Sequence, residues 1–153
     1  MKRFLMVALV GLAAAFPLAF AQDEAEPYIG GGLDVLFVGG GSNVGFVFQG
    51  GADNLIGSAG LRGNIAIGFE GGVSLGVDIL ADFPSDDFAP YIGGGIGILP
   101  GGSTVFNLHA TGGGEYLVSD NVGLFAEIQP TLFIANGTAF GADLRFGVNY
   151  HFD

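Results

Sequence analysis

The sequence has no cysteine, only four basic residues among 153, and a charged content of 12%. Without cysteine the fold is held by no disulfide, which suits an exported protein that needs none. Four Lys and Arg against fifteen Asp and Glu exclude nucleic-acid binding, because neutralising phosphates requires clustered cations. Beyond the first 21 residues no apolar run approaches the length of about 20 residues that a membrane-spanning helix needs. No helical period is visible there either. If the chain spans a membrane, it does so as a closed β-barrel, in which every backbone group finds a partner within the sheet.

What is present is apolar residue in quantity, 50% of the chain with a mean hydropathy of +0.57, spread thinly rather than gathered. The one long apolar run comes first. Lys2 and Arg3 precede an apolar stretch at 4–18, and Ala19-Phe20-Ala21 forms a small-x-small cleavage pattern. Residues 1–21 therefore read as a cleaved secretory signal peptide and residues 22–153 as one barrel domain. The leader takes two of the four basic residues and no acid. The mature charge becomes 2 − 15 = −13, with Arg62 and Arg145 as the remaining cations.

From residue 27 onward the chain alternates. In 139–153, Phe140, Ala142, Leu144, Phe146, Val148, Tyr150 and Phe152 share one strand face, while Asp143, Arg145, Asn149 and His151 lie on the other. The same split predicts strands at 27–38, 43–49, 59–69, 73–81, 89–99, 104–118, 122–134 and 139–153. Turns or loops fall at 39–42, 50–57, 70–72, 83–88, 100–103, 119–121 and 136–137. A break at Gly63-Asn64 instead of Glu70-Gly71-Gly72 is the competing reading, and it leaves an odd number of strands. The motif PYIGGG occurs twice, from Pro27 and from Pro90, at an offset of 63 residues. That repeat predicts two strands of equal direction and equivalent position. The expected fold is all-β, an eight-stranded antiparallel up-and-down barrel.

Which face meets solvent follows from charge density. The polar face of most strands carries one to three charges padded with glycine, serine and asparagine, too few for a water-facing exterior. As the lining of an eight-stranded barrel, which is only just wide enough for its side chains, that composition fits. Gly30, Gly32, Gly93, Gly95, Gly97 and Gly113 would relieve crowding inside, and Phe37, Phe69, Phe140, Tyr150 and Phe152 would supply an aromatic girdle. The alternative is a soluble periplasmic barrel with its apolar face inward around an apolar ligand.

The signal peptide, the repeated PYIGGG strand, the segment 115–127 around Ser119-Asp120-Asn121, and the closing RFGVNYHF from Arg145 together resemble the small outer-membrane β-barrel proteins of the OmpA/OmpX-like group. The resemblance covers the whole mature chain. It implies residence in the cell outer membrane, contact with outer-membrane lipid, and recognition of the C-terminal aromatics by the barrel-assembly machinery. Here Tyr150 and Phe152 would carry that signal, with Asp153 following the final aromatic.

An interior assignment gathers Asp34, Arg62, Glu70, Asp78, Glu115, Glu127, Asp143 and Arg145 into one charge network, with Asn107, His109, Gln129, Asn149 and His151 as further polar members. Buried charges must pair or stay hydrated. Arg62 and Arg145 are each expected to bridge two carboxylates and plug the barrel, giving a structural or envelope role. A small cation-preferring pore along the unpaired carboxylates is the second reading. Catalysis is not expected: His151 has no obvious nucleophile beside it, and His109 has Thr104 and Thr111 nearby in sequence but no serine-containing motif. No metal is expected at Asp82, Asp86 and Asp87, whose spacing lacks a calcium-loop signature. The glycines of PYIGGG lie inside strands and precede no helix, so they form no phosphate cradle and imply no cofactor. The chain is expected to act as a monomer.

Overall fold

Alternation of apolar and polar residues resolves into eight strands: β1 (Glu26–Val38), β2 (Gly41–Ile56), β3 (Ala59–Gly68), β4 (Val73–Asp82), β5 (Phe88–Leu99), β6 (Val105–Ser119), β7 (Val122–Ile134) and β8 (Thr138–His151). The structure is a computed structural model and describes residues 25–83, 85 and 87–152. The expected leader at 1–21, the start of the mature chain at Gln22, Asp86 and Asp153 lie outside the described residues. Every neighbouring pair is antiparallel, and β1 closes on β8 with Leu33 opposite Phe146 and Asp34 opposite Arg145. Among the described residues no strand edge is left unpaired.

Two expectations are corrected. Residues 50–57, read as a loop for their glycines, belong mostly to β2, where Gly50 pairs with Gly63 and Gly51 with Arg62. A glycine tolerates a crowded ladder because it has no Cβ: one added at Gly51 would strike the Leu61 carbonyl oxygen. The irregular point is narrower, a register shift between Ala52 and Ile56 with Asn54 at φ 56°. The competing break at Gly63-Asn64 is also absent, since β3 runs unbroken through both residues.

The PYIGGG repeat is the visible part of a larger one. Gly50-Gly51-Ala52-Asp53 on β2 corresponds to Gly112-Gly113-Gly114-Glu115 on β6. The pairing continues the match: Tyr28 faces Gly51 and Gly51 faces Arg62, as Tyr91 faces Gly113 and Gly113 faces Glu127. Strands β1–β3 and β5–β7 are thus in matching register, and corresponding strands stand on opposite walls of the closed ring. One local difference sits on β7. Pro130 has no N–H to donate, and the β6–β7 ladder lapses between His109–Thr131 and Gly112–Ile128.

The faces separate by charge. Phe46, Phe48, Ile79, Ile92, Ile96, Phe106, Leu108, Phe140 and Phe146 are exposed on the outside, and no Asp, Glu, Lys or Arg shares that parity on any strand. Arg62, Asp78, Glu127, Gln129 and Arg145 are buried within. A soluble barrel with an apolar interior does not fit these faces.

Candidate functional site

The interior is built from inward positions of all eight strands, and its centre is a crossbar. Arg62 on β3 reaches across the lumen to Glu127 on β7, four strands away around the ring. Its Nη1 donates to Glu127 Oε2 at 2.7 Å and its Nη2 to Oε1 at 3.2 Å, a forked contact that suits the planar guanidinium. Nε donates to Asp78 Oδ2 on β4 at 2.8 Å. The Arg62 side chain is 1% exposed and its two carboxylate partners 0%. By register the two residues hold matching places: Arg62 pairs with Gly51, which faces Tyr28, and Glu127 pairs with Gly113, which faces Tyr91. The crossbar therefore joins matching positions of the two halves, one carrying a cation and the other an anion.

Burial of that many charges is tolerable only if their remaining hydrogen-bonding capacity is met. Glu127 also accepts from Tyr91 Oη at 2.8 Å and from Gln129 Nε2 at 3.0 Å. Asp78 also accepts from Asn64 Nδ2 at 2.8 Å and makes a close contact with His109 Nε2. His109 is oriented from its other side by Asn107, with Nδ1 and Oδ1 3.0 Å apart. Gly95 makes this possible, because a Cβ there would meet Asp78 Oδ1 and lie 2.7 Å from His109 Nε2.

Two smaller groups flank the crossbar. Arg145 on β8 donates from Nε to Asp34 Oδ1 on β1 at 2.7 Å, and its Nη1 lies 3.7 Å from Glu127 Oε1. Toward the end that carries both termini, Glu115 accepts from Asn149 Nδ2 at 2.6 Å and contacts His151 Nε2 at 2.6 Å. Gln49 Nε2 donates to Asn149 Oδ1 at 2.9 Å.

Most of the residues assigned to the interior from sequence occupy it: Asp34, Arg62, Asp78, Glu115, Glu127, Asp143, Arg145, Asn107, Gln129 and Asn149 are buried, and His109 and His151 are half-buried. Glu70 does not. It is exposed in the turn between β3 and β4, where Gly71 and Gly72 carry φ of 99° and 97°. Its parity matched the polar face, but the strand ends at Gly68, and a side chain in a turn has no lumen to enter. The sequence reading missed Tyr28 and Tyr91, 3% and 6% exposed, which point inward at matching places in the repeat. Their even spacing from the interior Gly30 and Gly93 carried that signal. Tyr150 faces outward and stacks edge-on against Phe152, with centroids 5.2 Å apart, while the Phe152 amide donates to the Pro27 carbonyl at 2.9 Å.

No protein-family model matches the chain, and no curated protein does. Solved structures do. Neisserial surface protein A is 19% identical over 85% of this chain and 98% of its own, with a TM-score of 0.62. A de novo designed transmembrane β-barrel is 17% identical over 82% of this chain and 95% of its own, with a TM-score of 0.58. The N-terminal β-barrel domain of Pseudomonas aeruginosa OprF is 16% identical over 84% and 98%, with a TM-score of 0.52. At these identities the likeness is one of fold.

Proposed function

We propose that the chain is an integral outer-membrane β-barrel protein with a structural, envelope-supporting role, and that its lumen is closed by the Arg62–Glu127 crossbar. The observation that carries this reading is the sorting of faces: an uncharged, aromatic-rich outside around a lumen that holds the buried charges. Lipid is the solvent in which such an exterior is stable. An even strand number leaves both termini on one side, taken as the periplasm, and the turns at the opposite end are short. The designed transmembrane barrel and the surface protein among its structural likenesses support the same reading. Tyr150 and Phe152 are the proposed signal for the barrel-assembly machinery.

The reading includes no catalysis. His109 and His151 are held by Asn107, Asp78 and Glu115, and among the described residues neither is hydrogen-bonded to a hydroxyl that could act as a nucleophile. Fractionation of cells expressing the protein tests the membrane assignment. The barrel should enter the outer-membrane fraction, require detergent for release and migrate faster on gels unheated than boiled. Recovery in the soluble periplasmic extract would overturn it.

A cation-preferring pore is the second reading, favoured by the excess of interior carboxylates over arginines. It requires the crossbar to part. Planar-bilayer recording decides between them: the closed barrel is silent, whereas steady currents with cation-selective reversal potentials would establish the pore.

A further inference from the structure

Between the crossbar and the end of the barrel opposite both termini lies a cavity of ≈ 140 Å³, room for an ion with several waters. It reaches the rim at Gly71, Gly72 and Pro100, and Asp34, Asp143 and Arg145, from the neighbouring strands β1 and β8, line one wall of it. Beneath it the Arg62 side chain is 1% exposed, so the cavity is a blind cup entered from one end.

The charges around the cup do not balance. The buried carboxylates of the lumen are Asp34, Asp78, Glu115, Glu127 and Asp143. Asp78 and Glu127 hold Arg62, Asp34 holds Arg145, and Glu115 contacts His151. The other cationic contacts are spent as well: Arg145 Nη1 lies 3.7 Å from Glu127 Oε1, and His109 contacts Asp78. Asp143, 8% exposed, is left without an ion pair among the described residues. Its Oδ2 lies 3.0 Å from the Thr131 hydroxyl, whose oxygen is also 2.9 Å from the Gln129 carbonyl oxygen, so one hydrogen serves two acceptors. Asp143 Oδ1 accepts no hydrogen bond among the described residues. Nor is it walled off, because the enclosed atoms without partners there are Gln49 Oε1, Asp82 Oδ2 and Arg145 Nη1.

We propose that the cup binds one partly hydrated monovalent cation, sodium or potassium, on the Asp143 carboxylate, with Thr131 Oγ1 as a neutral oxygen ligand. A buried carboxylate needs a countercharge, and the protein supplies none at this position. With a cation between Thr131 Oγ1 and Asp143, the hydroxyl hydrogen is free for the Gln129 carbonyl, and each of the three oxygens has a partner. Asp34 adds its field from the same wall. An anion would face both carboxylates. A divalent ion asks for more carboxylate ligands than the cup offers, since no group of three Asp, Glu or His among the described residues is placed to hold a metal ion. The proposal rests on the membrane reading only for the side the cup faces, the cell exterior. Bilayer currents report the crossbar and the titration below reports the cup, so the two readings fail separately.

The test is an NMR titration of the folded barrel in zwitterionic detergent micelles, at mildly alkaline pH and constant ionic strength, in which sodium or potassium replaces N-methylglucamine, a cation too large for the cup. Either metal ion should produce saturable shifts at the Thr131 and Asp143 amides. Asp143→Asn should weaken that binding about tenfold or more, because the formal charge that draws the ion is gone. Ser74→Leu, which fills the cup from β4 and leaves Asp143 in place, should do the same and carries the test if Asp143→Asn fails to fold. The absence of saturable shifts, as when a proton rather than a metal ion neutralises Asp143, would overturn the proposal. So would shifts confined to the acidic end around Glu26, Asp53 and Asp82, or binding unaltered in either variant.

Discussion

Replacing Arg62 with methionine removes three hydrogen bonds to carboxylates that are 0% exposed. Methionine roughly fills the aliphatic stem but leaves Glu127 with Tyr91 and Gln129, and Asp78 with Asn64 and His109. Those neighbours satisfy oxygens but offer no permanent positive charge. Breaking a buried ion pair from one side costs about 3–5 kcal/mol, because the abandoned charge stays desolvated. Neutralising the main abandoned partner as well, in Arg62→Met with Glu127→Gln, should recover about 2 kcal/mol relative to the sum of the single changes. The assay is equilibrium urea unfolding in lipid vesicles, followed by far-UV circular dichroism and by heat-modifiable gel migration. Planar-bilayer recording of the same samples reads whether the lumen opens. A single variant within about 1 kcal/mol of the native protein, or single changes that simply add, would refute the crossbar as the central closure of the barrel.

Phe146→Asp places a carboxylate on the outer face of β8 at a residue 48% exposed. It should block insertion into vesicles, and normal insertion would contradict the assignment of that face to lipid. Arg145→Ala leaves Asp34 without its ion pair and should lower the urea midpoint or raise bilayer conductance. Gly95→Val forces a side chain against Asp78 and His109 and should cost roughly 1–3 kcal/mol, measured in the same unfolding assay.

Much of the fold was legible because the strand period is two. Parity alone separates Phe140, Phe146 and Phe152 from Asp143 and Arg145, and it put Asn107, Gln129 and Asn149 with the charges. Parity does not say where a strand stops. Glu70 carries the right phase but sits past the end of β3, and residues 50–56 carry the glycines of a loop while forming a ladder. In both cases the deciding factor is the neighbouring strand: Gly50 and Gly51 have partners on β3, whereas Glu70 has none.

By itself, the sequence determined the two faces, the eight alternating segments and the shortage of cations, since each depends only on residue type and spacing. Tertiary structure decided which charges meet. Arg62 and Glu127 are 65 residues apart, and Asp34 and Arg145 are 111 apart. Nothing local links them. They come together because the sheet closes on itself, which sets β3 against β7 across the lumen and β1 beside β8. Closure also leaves Asp143 and Arg145 facing a space that no side chain fills.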